Sequence, residues 1–324
     1  MSLARPVAAD GSGASAAAGA GGAVCASAEV AGAPFGAFAL PGPAEALRRL
    51  ADRAPAGRLG RRAASLLRRA CLLGRGAGPF DVTLFGGARA RLHPRDNRTE
   101  KRVFAGGHLW DAEEGAALEA ALAAHDPAAG PFVLVDAGAN AGLYTLRLAA
   151  AARRQGRALR ALAIEPDPTT LARLRCNLAL SEVAGATVAP VALAAEPGRV
   201  RLTPAAGNRG EVRVAADGAG PEVAARPLLD VVREAGLTRI DALKIDLEGG
   251  EAAVLAAYLD AAPPALHPTL IVAETGRPGD AEGAALTDLL IRRGWALERR
   301  AGLNAILRRA PGAAAEPERP DVEA

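Results

Sequence analysis

Aromatic residues and lysine are scarce in this chain of 324 residues. Aromatic side chains make up 3% of the sequence, so the core must be built from leucine, valine, a few isoleucines and much alanine. Lysine occurs at Lys101 and Lys244 alone, and arginine therefore carries almost all of the positive charge. Such a composition indicates a bias toward GC-rich codons. It does not predict nucleic-acid binding, which requires basic residues gathered on one face.

Cysteine and long apolar segments are also scarce. The three cysteines, Cys25, Cys71 and Cys176, show no C-x-x-C spacing, so they predict neither a zinc site nor a disulfide framework. A reducing, cytoplasmic compartment is therefore expected. No uncharged run approaches the roughly 18 apolar residues that would predict a membrane span, and the N-terminus lacks the leucine-rich core of a signal peptide. We expect a protein without a transmembrane segment.

Composition divides the chain into four regions. The first is rich in alanine, glycine and serine, and such a segment buries too little apolar surface to offset the entropy of ordering. The regions are a disordered segment at 1–42, a helical and β-hairpin extension at 43–130, a domain of regular strand–helix units at 131–310, and a loose tail at 311–324.

The extension at 43–130 combines two patterns. Leucines at helical spacing among arginines over 43–73 predict one or two amphipathic helices. A small helical cap is the favoured interpretation of these helices, and a surface that binds a membrane or a partner helix is the alternative. Alternating apolar and polar residues over 80–93, around Gly86 and Gly87, predict a β-hairpin.

Strand and helix patterns alternate over residues 131–310. Strands are predicted at 132–136, 159–165, 187–193, 240–246, 268–274, 295–300 and 303–308, with shorter antiparallel strands over 198–226. Helices are predicted at 142–153, 168–181, 227–235, 250–260 and 281–293. Repeated strand–helix units produce a parallel sheet covered on both faces, and a tight turn at Ala301-Gly302 adds one antiparallel strand. We expect an α/β fold with a seven-stranded, mostly parallel sheet.

The first strand–helix junction of this domain carries the most specific motif. Asp136 ends a buried strand, and Gly138, Asn140 and Gly142 follow in a short turn. Glycines allow a ligand to approach the backbone, and amides at a helix start can bind an anion. Because Asn140 replaces the second glycine of the dinucleotide fingerprint, a smaller ligand with a carboxylate and an amine is favoured, the amine facing Asp136. The alternative is a helix-capping turn without a ligand.

The second strand of the domain ends in Glu165, one strand–helix–strand unit after Asp136. Parallel strands place such acids at the same edge of the sheet, where an acid can accept hydrogen bonds from the hydroxyls of a bound ribose. A helix-capping or surface acid is the alternative for Glu165.

Charged residues interrupt the predicted strand at 240–246. Lys244 and Asp246 are two residues apart and therefore share one face of the strand, and Glu248 follows in the turn. A charged pair in a central strand is unfavourable unless its members are paired or functional. These residues are therefore candidates for the site, with a structural ion pair between Lys244 and Asp246 as the alternative.

The strand at 268–274 also ends in an acid, Glu274. Asp246 and Glu274 are therefore expected to face each other across adjacent strand ends. Two carboxylates there could hold a divalent ion or supply a general base, and the sequence leaves both open. We assign no residue as a metal ligand, and a plain polar strand end remains an equal alternative for Glu274.

Two further segments are candidates for the walls of the site. His108 and Trp110 precede the first motif and are expected to pack under the sheet edge, with a lid over the site as the alternative. Asn208-Arg209-Gly210 lies among the predicted short strands. An exposed loop near the strand ends is a candidate acceptor-binding element, although a plain surface turn is an equal alternative.

Taken together, these motifs resemble the FkbM-type methyltransferases. The resemblance rests on Asp136-Ala-Gly-Ala-Asn-Ala-Gly-Leu-Tyr-Thr145, Glu165-Pro-Asp-Pro168, Leu174-Arg-Cys-Asn177 and Leu243-Lys-Ile-Asp-Leu-Glu-Gly249. It covers about residues 131–275, and it implies a Rossmann-like, class I methyltransferase fold that uses S-adenosyl-L-methionine. The family usually has valine or isoleucine in place of Leu247, which is a mild change.

The resemblance also assigns roles. The residues implied to bind the cofactor are Asp136, Gly138, Asn140, Gly142 and Glu165. The residues implied to be catalytic are Lys244, Asp246 and Glu248, with either carboxylate as the group that takes the acceptor proton.

The activity implied by the resemblance is O-methylation of a sugar, glycan or secondary metabolite. A small-molecule or glycan acceptor is then the expected partner, and no nucleic acid is expected. An RNA methyltransferase is one alternative, but it would require a basic groove or an appended RNA-binding fold, and residues 1–80 show neither pattern. A catalytically inactive S-adenosylmethionine-binding protein is the other, and the intact acids of the motifs argue against it.

Overall fold

The computed structural model describes residues 30, 32–205, 207–215, 220–277 and 279–310. Most of the predicted disordered segment at 1–42 lies outside these residues, as does the whole of the predicted tail at 311–324. No helix within the described ranges is both long enough and apolar enough to cross a membrane.

Helices and a hairpin precede the main sheet. They are α1 (Gly42–Ala51), α2 (Arg58–Leu72), β1 (Phe80–Leu84), β2 (Ala88–Leu92), α3 (Arg98–Phe104) and α4 (Ala112–Ala124). The amphipathic helices predicted over 43–73 and the hairpin predicted over 80–93 are both confirmed. The hairpin turns at Gly86 and Gly87, where φ is positive and a side chain would be strained.

The remaining elements alternate strands with helices. The first set is β3 (Phe132–Ala137), α5 (Leu143–Gln155), β4 (Leu159–Ile164), α6 (Pro168–Leu180), β5 (Ala186–Ala189), β6 (Ala192–Leu193), β7 (Gly198–Ala205), β8 (Asn208–Ala215) and β9 (Glu222–Arg226). The second set is α7 (Leu228–Glu234), β10 (Ala242–Ile245), α8 (Glu251–Ala261), β11 (Leu270–Glu274), α9 (Ala281–Arg292), β12 (Trp295–Ala301) and β13 (Asn304–Arg309). Every residue of β3 and β10 is buried, as expected for strands covered on both faces.

Seven strands form the central sheet in the order β12-β13-β11-β10-β3-β4-β5. Strands β11, β10, β3, β4 and β5 are parallel, and β13 is antiparallel to both of its neighbours. The predicted seven-stranded sheet with one antiparallel strand is therefore confirmed. The chain proceeds outward from β3 to β5 and returns to β10 on the other side of β3. Ligands of open α/β sheets bind outside the carboxyl ends of the strands at such a reversal.

Hydrophobic clusters cover both faces of the sheet. One cluster contains Leu134 of β3, Leu146 of α5 and also Ala64 of α2, so the N-terminal helices share this core with the sheet. The other cluster contains Val135 of β3 and Leu255 of α8. Adjacent residues of β3 thus face opposite layers, as the two-residue period of a strand requires.

Residues 32–41, at the end of the segment predicted to be disordered, pack against the hairpin. Asp81 and Arg91 form an ion pair of 2.8 Å, and both side chains are buried. Asp81 Oδ2 also accepts hydrogen bonds from the backbone amides of Gly36 and Phe38. The structure of 32–41 thus differs from the prediction, because a buried ion pair on the hairpin supplies hydrogen-bond partners that composition does not reveal.

A second, smaller sheet has the strand order β6-β9-β7-β8. Its antiparallel pairings of β7 with β8 and with β9 confirm the short antiparallel strands predicted over 198–226. The single strand predicted at 187–193 is wrong, because this segment divides into β5 of the main sheet and β6 of the small one. Pro190 lies between them and has no amide hydrogen with which to continue a strand ladder.

Helix α3 is an element that the sequence patterns did not predict. Asn97 begins it, and the Asn97 side chain accepts a hydrogen bond of 3.0 Å from the amide of Glu100. An asparagine followed three residues later by glutamate is similar to a capping box, so a local signal was present. Glu100 is fully buried and pairs with Arg173 of α6 at 2.9 Å, which fixes the short helix against the domain.

Candidate active site

A cavity of about 610 Å³ lies at the carboxyl ends of the parallel strands. Its walls are the turns after β3, β4, β10 and β11, the segment from α3 to the start of α4, the first residues of β8 and the turn between β12 and β13. Small-molecule sites usually have volumes of about 300–1,000 Å³. Of the predicted site residues, those that line the cavity are Gly138, Asn140, Glu165, Lys244, Asp246 and Glu248. Asp136 and Gly142 do not line it.

Gly138 lies directly against the end of β10. Its φ is +72°, and a Cβ at this position would lie 1.8 Å from the carbonyl oxygen of Asp246. Gly142 has a φ of +83°, and a Cβ there would lie 2.5 Å from Cδ1 of Leu174. Contacts within the protein therefore require both glycines. The predicted approach of a ligand to these glycines stays a prediction, and of the two only Gly138 lines the cavity.

The backbone amides from residue 138 to 142 each donate a hydrogen bond within the protein. Their acceptors are the carbonyl oxygens of Ile164 and Ala139, the side-chain oxygen of Asn140 and the carboxylate of Glu165. The expectation that amides at this junction are available to a ligand anion is not met for these five, because the loop folds back onto the end of β4.

Asn140 joins three parts of the cavity wall. Its φ is +52°, and its Oδ1 accepts hydrogen bonds of 2.8 Å from the amide of Ala141 and from Nδ2 of Asn97. Its own Nδ2 donates to the carbonyl of Gly210 in β8, at 3.2 Å. Asn140 therefore holds the loop after β3 to the start of α3 and to the small sheet.

Asp136 is fully buried behind the loop. Its Oδ2 accepts hydrogen bonds from the Thr145 hydroxyl at 2.7 Å and from the Thr145 amide at 3.2 Å. Its Oδ1 has no hydrogen-bond partner among the described residues and lies 4.0 Å from Nζ of Lys244. Burial raises the pKa of Asp136, although the Lys244 ammonium and the Thr145 hydrogen bonds oppose that shift. The amine that faces this acid is thus supplied by the protein itself.

Lys244 lies between Asp136 and the cavity. Its Nζ donates to the carbonyl oxygen of Gly138 at 2.8 Å and lies 3.6 Å from Oδ2 of Asp246. Burial works against the charge on Lys244, but the carboxylates of Asp246 and Asp136 outweigh it and raise the pKa of Lys244. The ammonium also lies 5.4 Å from the centre of the Tyr144 ring. Lys244 is therefore a fixed cation that connects the loop after β3 with the loop after β10.

Glu165 presents a carboxylate to the cavity from the end of β4. One of its oxygens accepts the amide of Asn140 at 2.8 Å, and the other accepts the amide of Asp167 at 2.9 Å. Burial raises the pKa of Glu165 to about 7, although the two amide hydrogen bonds oppose the shift. A carboxylate oxygen can accept more than one hydrogen bond, so a ligand hydroxyl can still be bound here.

Three carboxyl groups meet at the ends of β10 and β11. Oxygen atoms of Asp246, Glu248 and Glu274 lie within 4.8 Å of one another, which confirms the predicted approach of Asp246 and Glu274. Burial and the neighbouring acids, Asp246 first, raise the pKa of Glu274 to about 9. Such a cluster can share a proton between carboxyls or hold a divalent cation.

Residues at the starts of α4 and α5 complete the wall. The sequence offered Trp110 as a candidate for it, but did not assign Asp111 or Tyr144 to the site. Tyr144 donates a hydrogen bond of 2.9 Å to Oδ2 of Asp111, and its ring centre lies 4.8 Å from that of Trp110. Trp110 is buried, and it also lines the cavity. It therefore packs against the protein and forms part of the cavity wall at the same time. His108 does not line this cavity, and its Nε2 lies 2.7 Å from the carbonyl of Ala54.

The start of β8 borders the cavity. Asn208, Arg209 and Gly210 all line it, as the sequence suggested for this segment. Asn208 Oδ1 accepts the amide of Arg98 at 2.9 Å, and the amide of Arg209 donates to the carbonyl of Asp96 at 2.7 Å. The start of β8 is therefore bound to the start of α3 by hydrogen bonds.

The strand order defines a Rossmann-like fold, with a cavity at the carboxyl edge of its sheet. The family model described as the methyltransferase FkbM domain matches residues 136–295, and through this segment the chain belongs to that family. The earlier resemblance is thereby confirmed. No curated protein matches the chain.

Several solved structures are similar to this chain at low identity. The precorrin-6y C5,15-methyltransferase of Geobacter metallireducens is 14% identical, with 60% of this chain and 86% of that chain covered and a TM-score of 0.36. An rRNA methylase of Streptococcus thermophilus is 14% identical, covering 61% and 95%, with a TM-score of 0.35. The magnesium protoporphyrin IX methyltransferase of Synechocystis PCC 6803 is 12% identical, covering 66% and 85%, with a TM-score of 0.38.

Proposed function

We propose that this protein transfers a methyl group from S-adenosylmethionine to a hydroxyl group of a sugar, glycan or secondary metabolite. The observation that carries the proposal is the position of two acids, Glu165 and Asp246, on opposite sides of the β3 loop around one cavity. Glu165 suits the binding of ribose hydroxyls, and Asp246 suits the removal of a proton from a reacting hydroxyl. The family match supplies the reaction class.

The cavity fits S-adenosylmethionine on the chemistry of its wall. Glu165 would hold the ribose hydroxyls, since amide hydrogen bonds fix both of its oxygens at the cavity wall. The backbone of Gly138 and Asn140 would lie along the bound nucleoside. When bound, this cofactor supplies a methyl group on a cationic sulfur.

We assign Asp246 as the group that takes the proton from the acceptor hydroxyl. Because the pKa of Glu274 is raised to about 9, Glu274 keeps its proton at neutral pH and can donate a hydrogen bond to the Asp246 carboxylate. The Lys244 ammonium, 3.6 Å from Oδ2 of Asp246, stabilises the negative charge on Asp246. Asp246 would take the hydroxyl proton as the acceptor oxygen bonds to the methyl carbon and the bond from that carbon to the cofactor sulfur breaks, which leaves a neutral thioether. Holding these groups in line and excluding water accounts for most of such a reaction.

The charge of the cavity favours a small acceptor over RNA. Seven acids line the cavity, namely Asp111, Glu114, Glu165, Glu211, Asp246, Glu248 and Glu274. Five basic residues also line it, namely Arg98, Arg102, Arg209, Lys244 and Arg277. A phosphate backbone requires an excess of basic residues along a groove, and the carboxyl cluster beside Asp246 would repel it.

Calorimetric titration of S-adenosylmethionine, and separately of its demethylated product, tests the cofactor. We expect micromolar binding to the wild type and binding weaker by about tenfold for Glu165→Gln, because Gln accepts fewer hydrogen bonds from hydroxyls than a carboxylate does. Glu196→Gln, at an exposed position away from the cavity, is the matched control. Absence of binding to folded wild-type protein would refute the cofactor assignment.

Transfer of an isotope-labelled methyl group tests the acceptor. Pooled glycans, small-metabolite extract and total RNA are supplied separately, and the expected product is a methyl ether in one of the first two. Label that enters RNA alone would instead assign the protein to the RNA methyltransferases.

A further inference from the structure

Helix α2 exposes a stripe of apolar side chains to solvent. Leu59 and Leu66 are 77% and 64% exposed, and Leu73, which follows the last helical residue, is 78% exposed. Ala63 and Ala70 lie between them and are also exposed. The spacing of four and three residues places all five on one side of the helix. We call these five residues the apolar stripe.

The opposite side of α2 is fixed against the body of the protein, so the apolar stripe cannot turn inward. Ala64 is buried, and a Cβ on Gly106 would lie 2.9 Å from the Ala64 side chain. Cys71 is fully buried, with its Sγ 3.3 Å from the carbonyl of Ala44 in α1. Gly60 is buried where α2 meets the preceding turn at Pro55.

Arginines flank the apolar stripe on the side away from the buried face of α2. Arg58, Arg61, Arg62 and Arg69 are exposed, and none has an ion-pair partner within the described part of the chain. Helix α2 itself contains no acidic residue. The acids of α1 are already engaged, since Glu45 pairs with arginines of its own helix.

We propose that α2 docks in the plane of an anionic lipid surface through the apolar stripe. A helix that combines a leucine face with arginine flanks binds at the headgroup boundary, with its apolar side chains below and its charges at the phosphates. Long arginine side chains can keep their aliphatic stems along the apolar layer while their charged heads reach the phosphates. The docking is peripheral and requires no membrane-spanning helix.

The positive charges of α2 favour a lipid surface over a second copy of the chain as the partner of the apolar stripe. Two copies paired through the apolar stripe would bring the arginines of both α2 helices together without an acid between them. Such like-charge contacts oppose pairing. An anionic surface instead attracts these arginines near the headgroups.

Vesicle flotation with the full-length protein tests the proposal. The probes are vesicles of phosphatidylcholine alone and vesicles in which a third of the lipid is phosphatidylglycerol, each at low and at high salt. We expect binding to the anionic vesicles that weakens at high salt. Leu59→Ser/Leu66→Ser and Arg62→Gln/Arg69→Gln are each expected to reduce the partition coefficient by about tenfold or more. Ile291→Ser, at an exposed apolar position on α9, should not change it.

Circular dichroism of each variant, together with binding of S-adenosylmethionine, shows that the domain remains folded. The proposal is overturned if folded wild-type protein does not bind anionic vesicles at low salt. It is also overturned if both double variants bind as well as the wild type. A concentration-dependent dimer in light scattering that Leu59→Ser/Leu66→Ser removes would assign the apolar stripe to a second copy instead.

Discussion

The side-chain amide of Asn97 donates a hydrogen bond of 2.8 Å to Oδ1 of Asn140, while Asn97 Oδ1 caps helix α3. One buried residue of the N-terminal segment thus supports the loop after β3. Asn97→Ser keeps a good helix cap but removes the donor to Asn140. We expect a loss of about 1 kcal/mol in the free energy of unfolding and weaker binding of S-adenosylmethionine, measured by urea denaturation and by calorimetry.

The matched control is Asp126→Ser, which alters an exposed cap at the short turn Pro127–Ala129. This variant should leave binding of the cofactor unchanged. If Asn97→Ser also leaves it unchanged, Asn97 has no influence on the site.

Gly138 is expected to be intolerant of any side chain. Gly138→Ala places a Cβ 1.8 Å from the carbonyl oxygen of Asp246 and adds strain at a φ of +72°. Gly156→Ala at a φ of +61° adds strain without a contact, because no atom lies within 4 Å. Strain alone costs about 1–2 kcal/mol, and we expect Gly138→Ala to lower the free energy of unfolding by about 2 kcal/mol more. Equal losses in urea denaturation would show that the backbone contact relaxes freely.

Local patterns were enough to predict the central sheet and the acids at its carboxyl edge. Apolar runs bounded by turn residues gave β3, β4, β10 and β11, and the acid that ends or follows each run therefore falls at one edge of a parallel sheet. The approach of Asp246 to Glu274 could be predicted for the same reason. Period and strand direction fix these positions without knowledge of distant contacts.

Contacts between distant segments could not be predicted in the same way. Trp110 and Asp111 enter the cavity wall because α4 packs beside α5, and no local pattern links them to Tyr144. Asp136 resembles a ligand-binding acid in the sequence, yet its amine partner is Lys244 of β10, the adjacent strand in the sheet. The sequence shows which residue types are present, whereas tertiary packing decides which partner each one meets.

Lys244 is expected to be essential for stability as well as for the site. Lys244→Met leaves the fully buried Asp136 without its cation, and loss of one partner of a buried ion pair costs about 3–5 kcal/mol. Lys244→Met/Asp136→Asn removes both charges and should recover much of that loss. A double-mutant cycle in urea denaturation measures the coupling. Additive losses would contradict an interaction between the two side chains.

Binding of S-adenosylmethionine is expected to depend on pH through Glu165. The pKa of this carboxyl is raised to about 7 by burial, and ribose hydroxyls donate to its ionised form. Affinity should therefore increase as the pH rises through 7, and binding below that pH should release a proton. Calorimetry in buffers of different ionisation enthalpy measures the proton release. Glu165→Gln should abolish it, and a wild type that binds without proton release at pH 6.5 would contradict the assignment.

Asp246 and Glu274, at the ends of β10 and β11, are expected to contribute unequally to the rate of methyl transfer. Because the pKa of Glu274 is raised to about 9, the neutral amide in Glu274→Gln imitates its state at pH 7, and methyl transfer should fall less than about threefold. Asp246→Asn removes the proton acceptor and should reduce the rate by about 100-fold or more. EDTA should leave the wild-type rate unchanged. The contrary result would be a rate that EDTA abolishes and Mg²⁺ restores, together with inactivity of Glu274→Gln. It would show that Asp246, Glu248 and Glu274 hold a cation rather than a shared proton. Divalent ions require ionised oxygen ligands, which the amide in Glu274→Gln does not supply.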